Sequence, residues 1–260
     1  MKRIFFSLFA FFIKIVSVSA QDNYEIQVYA SPTVEKGFTM VELHSNYTFN
    51  GTLVPENNVY PSNHILHETV EITHGFSNNF EIGFYFFNAI GSNGRTNFVG
   101  SHIRPRIKVP DEWKWPVGAS LSIEGGYQKL SYSTDDWSME IRPIIDKTAG
   151  RFYFSFNPTL DKSFHGLTEH EGFIFSPNFK GSFDITNIWT AGIEYYGSMG
   201  SFFHFDPYQQ QQHALFLAAD VNFSPEWELN FGYGFGITKA TDTNILKLIV
   251  GYKPGKTKKK

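Results

Sequence analysis

The sequence has no cysteine among its 260 residues, so no disulfide can hold its fold together. Small secreted domains that need such cross-links usually carry paired cysteines, whereas a chain of this length can form a large domain without them. The chain is also nearly balanced in charge, with a formal net charge of −3. The sequence therefore gives no reason to expect nucleic acid as a partner.

Long apolar runs are missing after residue 20. The apolar stretches there are only a few residues long, as in GFYFF at residues 83–87. A membrane-spanning helix needs about 20 apolar residues, so no such helix is predicted beyond the N-terminus. If the chain crosses a bilayer, it must do so as a closed barrel, because only closed barrels and helices pair every backbone polar group.

The N-terminus has the pattern of an export signal. A basic pair at residues 2–3 precedes an almost wholly apolar run at residues 4–13. The sequence VSA at residues 18–20 then supplies the small residues that signal peptidase reads, which predicts cleavage between Ala20 and Gln21. A membrane anchor is the alternative, but the run is short of the roughly 20 residues that it would need.

Aromatic residues are abundant, at 18% of the chain with 28 Phe and 13 Tyr, yet mean hydropathy is slightly polar. This combination is typical of strands with one apolar and one polar face. Alternation with a period of two recurs about every 20 residues and predicts twelve antiparallel strands in a transmembrane barrel, with ten or fourteen as alternatives. The strands are predicted at 39–49, 64–73, 79–88, 97–108, 117–127, 136–145, 150–158, 171–182, 187–197, 212–222, 226–236 and 243–252.

The connections between these strands alternate between short turns and longer polar loops. Barrels of the outer membrane place short turns in the periplasm and longer loops outside. Twelve strands that start upward at Met40 end on the short-turn side, so both chain ends are expected in the periplasm. The predicted regions are a signal peptide at 1–20, a periplasmic N-terminal extension at 21–38, an outer-membrane barrel at 39–252 and a basic tail at 253–260. An extra strand within residues 24–29 stays open.

The charged residues of the strand at 97–108 decide its orientation. Arg104, Arg106 and Lys108 share one face, and a cation facing lipid costs about 2–4 kcal/mol at the bilayer centre. These side chains are therefore expected in the lumen, with Val99, Ile103 and Ile107 facing outward. Carboxylates on the next two strands predict a ladder of ion pairs. The candidate lumen-lining residues are Arg104, Arg106, Lys108, Glu124, Glu140 and Arg142. They act either as a filter for anionic solutes or, as we favour, as structural pairs.

Two further groups have expected positions in the barrel. Gly232, Gly234 and Gly236 share the inward face of one strand, which indicates either a bulky neighbour or open lumen space. Tryptophans near the short turns predict an aromatic girdle at one membrane interface. They are Trp113, Trp115, Trp189 and Trp227.

Several stretches resemble one outer-membrane family. They are VEKG at residues 34–37, ITHGFSNNFEIG at residues 72–83, and GYGFGITKATD at residues 232–242 before a strand that ends in Gly251 and Tyr252. In their order they resemble the MetA-pathway of phenol degradation family. The resemblance implies an outer-membrane barrel associated by name with uptake of aromatic compounds.

The chemistry-bearing residues favour no enzyme. His165 and His170 lie with Glu169 and Glu171 in one predicted loop, where solvated side chains are more common than a metal site. No spacing singles out a catalytic triad, and neither a cofactor nor a metal is expected.

The predicted function is a channel or transport-like barrel for small molecules, aromatic or apolar ones among them. A structural or adhesive barrel and a lipid-modifying barrel enzyme are the alternatives. Expected partners are outer-membrane lipid, the barrel assembly machinery and a small-molecule solute, while the oligomeric state stays open.

Overall fold

The computed structural model describes residues 23–255, and in it twelve long antiparallel strands close into one barrel, as predicted. The predicted signal peptide at 1–20 and residues 256–260 of the basic tail lie outside the described residues. Among residues 23–255, no helix has the length and apolar character needed to span a membrane. The barrel strands are β1 Thr39–Asn50, β2 Leu66–Ser77, β3 Phe80–Ile90, β4 Thr96–Lys108, β5 Gly118–Gln128, β6 Asp135–Ala149, β7 Phe152–Gly166, β8 Ile174–Asp184, β9 Trp189–Ser198, β12 Gln212–Val221, β13 Trp227–Gly236 and β14 Asn244–Tyr252.

Each strand pairs with its neighbour along the chain, and β1 closes the barrel by pairing with β14. Two short strands, β10 Gly200–Ser201 and β11 His204–Phe205, form a hairpin within the connection from β9 to β12. We call the end that carries the short connections the turn end and the other the loop end. The turn end also carries a short 3-10 helix at Asp111–Trp113.

Polar side chains fill the inside of the barrel, and apolar side chains cover its outside. In β1, Glu42 and His44 are buried, whereas Val41 and Leu43 are exposed. This distribution is the inverse of that in a soluble protein, and it follows the period of two along each strand. The outward apolar band fits a surrounding of lipid, because water would penalise so large an apolar surface.

The inward and outward assignment is wrong at one residue. Ile103 and Ile107 are exposed, as expected for outward residues, but Val99 is fully buried. The pairing of β3 with β4 shifts there, since Phe87 faces Gly100 and Asn88 faces Phe98. Such a bulge adds a residue to one strand and reverses its alternation beyond that point.

Strand β7 is also longer than its prediction. It spans Phe152–Gly166 instead of ending at residue 158, and its last residues pair with the start of β6. The predicted loop at 159–170 is thus mostly strand. The turn between β6 and β7 lies at Gly150 and Arg151, where Gly150 has a φ of 64° that favours glycine.

The N-terminal segment occupies the lumen, which corrects the expectation of a periplasmic extension. Asn23 lies at the loop end, where its Nδ2 donates to Asp242 Oδ2 at 2.8 Å. Thr33 lies at the turn end, where its Oγ1 donates to the carbonyl of Asn78 at 3.0 Å. The chain therefore runs down the barrel before it turns into β1. The described chain ends consequently lie at opposite ends of the barrel, and the expectation of both at one end was wrong.

The three inward glycines of β13 include one that accommodates a bulky neighbour. A Cβ at Gly234 would lie 2.3 Å from Cζ of Phe216, whose fully buried ring packs against this strand. The predicted tryptophan positions are all exposed, with Trp113 in contact with Trp115 and Trp227 in contact with Tyr252.

We expect Gly234→Ala to destabilise the barrel by about 1–3 kcal/mol, because the new methyl group overpacks the Phe216 ring. Urea unfolding in vesicles measures this. Phe216→Leu combined with Gly234→Ala should recover part of the loss, and strictly additive effects of the two substitutions would contradict the contact.

Candidate functional site: a filled lumen

The lumen is filled by residues 23–34, which we call the lumen segment. Residues 24–30 form no strand with the wall, so their backbone groups bond to wall side chains instead. Thr69 Oγ1 donates to the carbonyl of Tyr24 at 2.7 Å, and Ser155 Oγ donates to that of Tyr29 at 2.6 Å. The segment is thus an insert held by side chains and separate from the strand ladder.

At the loop end, the segment meets the connection between β13 and β14. Asp242 accepts hydrogen bonds from Asn23 Nδ2 and Ser62 Oγ. Burial raises the pKa of the Asp242 carboxyl above its ordinary value, and these two bonds oppose the rise.

Two of the predicted lumen arginines form buried ion pairs with carboxylates of the barrel wall. Arg104 Nη2 donates to Glu71 Oε1 at 2.6 Å, and Arg106 Nη2 lies 2.6 Å from Glu81 Oε1. Arg106 also donates to the carbonyls of Ala30 and Pro32 in the lumen segment, at 3.0 and 2.9 Å. Arg106 therefore joins the wall to the segment.

The third arginine, Arg142, binds the segment through a carboxylate and an aromatic ring. Its Nη1 lies 3.2 Å from Glu25 Oε1, and its Nη2 lies 2.6 Å from Glu140 Oε2. The ring of Tyr29 lies under three guanidinium groups, with centroid distances of 4.5, 4.8 and 5.7 Å for Arg142, Arg104 and Arg106. Cation–π contacts of this kind strengthen when they are shielded from water.

The predicted ion-pair ladder has different partners from those expected. Arg104 and Arg106 pair backward with Glu71 of β2 and Glu81 of β3, and not forward with β5 and β6. Gly83 explains the reach of Arg104 to β2, because a Cβ at Gly83 would lie only 3.2 Å from Arg104 Nη2.

The remaining predicted residues lie apart from this pair of arginines. Glu124 is buried and pairs with His102, while Glu140 pairs with Arg142. Lys108 lies at the turn end and pairs with the exposed Asp111 at 3.0 Å.

Sequence reasoning missed a second buried network on the other side of the lumen. Glu194 of β9 binds Lys247 of β14 and lies 3.3 Å from Lys180 of β8. Lys247 Nζ also donates to the carbonyl of Ile26 at 3.3 Å. Lys247 interrupts the otherwise apolar sequence ILKLIV at residues 245–250. This interruption indicates a cation on the inward face of the strand.

Apolar side chains of the lumen segment pack against the wall between the charged networks. Ile26 and Val28 form a buried cluster with Phe216 and Ile245, and Tyr24 packs in a second cluster around Phe87. The segment thus supplies the wall with apolar contacts, hydrogen-bond acceptors and an aromatic ring along its length.

Cavities remain at both ends of the barrel. The larger, of about 740 Å³, opens at the loop end and is lined by eight carboxylate residues and three basic residues. The smaller, of about 310 Å³, lies at the turn end beside Ser31, Lys108 and Asp146. The lumen segment runs from one cavity to the other.

Comparisons with known proteins identify the fold. No family model matches the sequence, and no curated protein matches it significantly. An outer membrane channel from Pseudomonas putida F1 is similar with a TM-score of 0.57 at 10% identity, over 88% of this chain and 100% of that one. The KdgM porin gives 0.53 at 9% identity over 83% and 99%. The KdgM porin in complex with disordered oligogalacturonate gives 0.52 at 8% identity over the same shares. This chain has the barrel fold of bacterial outer-membrane proteins.

We expect Glu81→Gln to destabilise the barrel by about 3–5 kcal/mol, because it leaves the buried Arg106 without its carboxylate. Urea unfolding of the folded barrel measures the effect. Lys108→Met on the neighbouring strand β4 is the matched control, and loss of its exposed pair with Asp111 should cost about 1 kcal/mol or less. Equal effects of the two substitutions would show that the buried pairs are dispensable.

Proposed function

We propose that this chain is exported to the outer membrane and acts there as a small-molecule channel that its own lumen segment closes. The observation that carries the proposal is a wide barrel whose two end cavities are separated by an insert that forms no strand pairing with the wall. The fold shared with solved channels and porins supports a channel in preference to an enzyme or an adhesive barrel.

The connection of the segment to β1 sets the direction in which the lumen opens. Gly37 donates its N–H to the carbonyl of Gly75 at 2.7 Å, and Gly75 donates to that of Phe38 at 3.0 Å. These bonds fix the chain at the turn end. With the signal peptide removed, residues 23–34 can therefore leave the lumen by sliding out through the turn end while residues 37–38 remain in place.

The loop-end cavity favours solutes that carry positive charge. Carboxylate residues outnumber basic ones there, and Asp161 lies in its wall. A cavity with one dominant sign of charge concentrates ions of the other sign. Arg104 and Arg106, for which an anion filter was the less favoured interpretation, bind Glu71, Glu81 and the lumen segment.

The resemblance to the phenol degradation family suggests aromatic solutes, and ring contacts at the cavity support that choice. Tyr60 and Tyr132 line the loop-end cavity with ring centroids 5.2 Å apart, beside Ile65. Solute rings can stack against such a pair, and their apolar edges can contact the isoleucine. A small aromatic molecule with a cationic group is therefore the solute class that we propose.

A disulfide between the segment and the wall tests the closure. The Ser31 Oγ lies 2.2 Å from the position of a Cβ at Gly118. This places a cysteine pair near the Cβ separation of about 3.5–4.5 Å that a disulfide needs. Since the chain has no cysteine, Ser31→Cys with Gly118→Cys forms a unique bond.

We expect this double variant to stay closed in planar bilayers when oxidised and to conduct after reduction. Each single variant, with heat-modifiable gel migration as the check of folding, should behave alike in both states. Conductance that persists in the oxidised protein would contradict closure by the segment, and silence in both states would contradict opening.

We also expect the reduced channel to pass K⁺ in preference to Cl⁻ in a salt gradient. Asp161→Asn should lower that preference, because it removes one carboxylate from the loop-end cavity. Glu112→Gln, at the exposed turn end and outside the lining of both cavities, is the matched control and should leave the reversal potential nearly unchanged. A preference for Cl⁻ in the unmodified channel would overturn the assignment.

A further inference from the structure

A second group of inward side chains lies on β1 and β2, away from the lumen segment's own bonds. Glu42 and His44 are two residues apart on β1 and therefore share its inward face. Glu71 of β2 faces Glu42 directly in the strand pairing. All three side chains are buried, and one ligand atom from each lies within 4.8 Å of the other two.

The imidazole of His44 is the unusual member of this group. It is fully buried, and neither Nδ1 nor Nε2 has a hydrogen-bond partner. Its Nε2 stands 3.5 Å from Glu71 Oε2, which also lacks a hydrogen bond. A buried polar ring without a hydrogen bond within normal distance is costly, and an ion bound between His44 and Glu71 would relieve that cost.

The two oxygens of Glu71 have different surroundings. Oε1 accepts hydrogen bonds from Arg104 Nη2 and Thr73 Oγ1, both at 2.6 Å. These bonds fix the carboxylate and leave Oε2 directed at His44. Ligating carboxylates in metal sites are commonly oriented by outer hydrogen bonds of this kind.

A further carboxyl group, that of Glu228, lies near Glu42 on the inner face of the barrel. Glu42 and Glu228 lie on either side of Gly251, where a Cβ would be 3.0 Å from Glu42 Cγ and 3.1 Å from Glu228 Cβ. Among residues 23–255 neither carboxylate has an ion pair, since the nearby Arg104 and Arg106 bind Glu71 and Glu81. Glu42 therefore has no ion pair that it would have to give up on binding a cation.

We propose that Glu42, His44 and Glu71 bind one divalent transition-metal ion of the zinc class in the barrel wall. Imidazole nitrogens and carboxylate oxygens are both zinc ligands, and three protein ligands leave a fourth position for water. Ligand distances of about 2.0–2.2 Å require each atom to move inward by less than about 1 Å, which side-chain rotation provides. The site is independent of whether the channel opens.

Zinc content tests the site directly. Protein extracted from membranes and dialysed against micromolar Zn²⁺ is expected to retain about one ion per folded chain. His44→Gln and Glu42→Gln should each weaken binding by more than about tenfold. His67→Gln is the matched control, because His67 is also a buried lumen histidine with an unbonded Nδ1 but lies outside the group.

Heat-modifiable migration confirms that each variant is folded before its zinc is measured. If the substituted barrels do not fold, anomalous scattering at the zinc edge from crystals of the unmodified protein locates the ion. Density within about 2.1 Å of a His44 nitrogen supports the site. Unmodified protein without zinc, zinc bound elsewhere, or equal retention by the His44 and His67 variants would overturn it.

Discussion

Three guanidinium groups are buried in this barrel. They need hydrogen-bond acceptors, and some of these acceptors come from the lumen segment, so the arginines connect the barrel wall to the segment. Arg104, Arg106 and Arg142 lie where little water reaches them, and a buried charge without partners costs several kcal/mol. Wall carboxylates meet only part of that need. The carbonyls of residues 30 and 32 supply further acceptors to Arg106, and the carboxylate of Glu25 supplies one to Arg142. The lumen segment is therefore part of the folded structure as well as an obstruction.

The same constraint shows how a filled lumen is compatible with the proposed channel function. Departure of the segment would take two acceptors from Arg106 and one from Arg142, but the cavities at both ends would let water replace them. Water can accept the hydrogen bonds of the arginines at little net cost in free energy, whereas an apolar group cannot accept them. The closed form is thus favoured by contacts that hydration can reproduce, and opening costs mainly the apolar packing of Ile26, Val28 and Tyr24.

The strands were predictable because a barrel between lipid and a polar lumen imposes a period of two on every strand. Predictions from this period of two failed where a strand contains a bulge or extends beyond its alternating segment. Val99 changes face at a bulge beside Gly100, a glycine within a strand that marks such an irregularity but does not fix its position. Strand β7 continues beyond its predicted end because its residues as far as Gly166 pair with the start of β6 at Asp135. The lumen segment was missed since its residues 24–29 alternate like a strand, and alternation does not reveal whether a neighbour supplies pairing.

The contacts between side chains inside the lumen were harder to predict than the strands, and two inward glycines explain why. Prediction matched Arg104 with carboxylates on the strands that follow it, but Gly83 leaves room for its side chain to cross β3 and reach Glu71 on β2. Gly251 similarly brings Glu42 near Glu228 across β14. In a barrel of alternating side chains, an inward glycine opens contact between strands that are not adjacent. The pairing of Glu42 and His44 at two-residue spacing was present in the sequence, but its third member becomes evident only when Glu71 is placed opposite Glu42 by strand register.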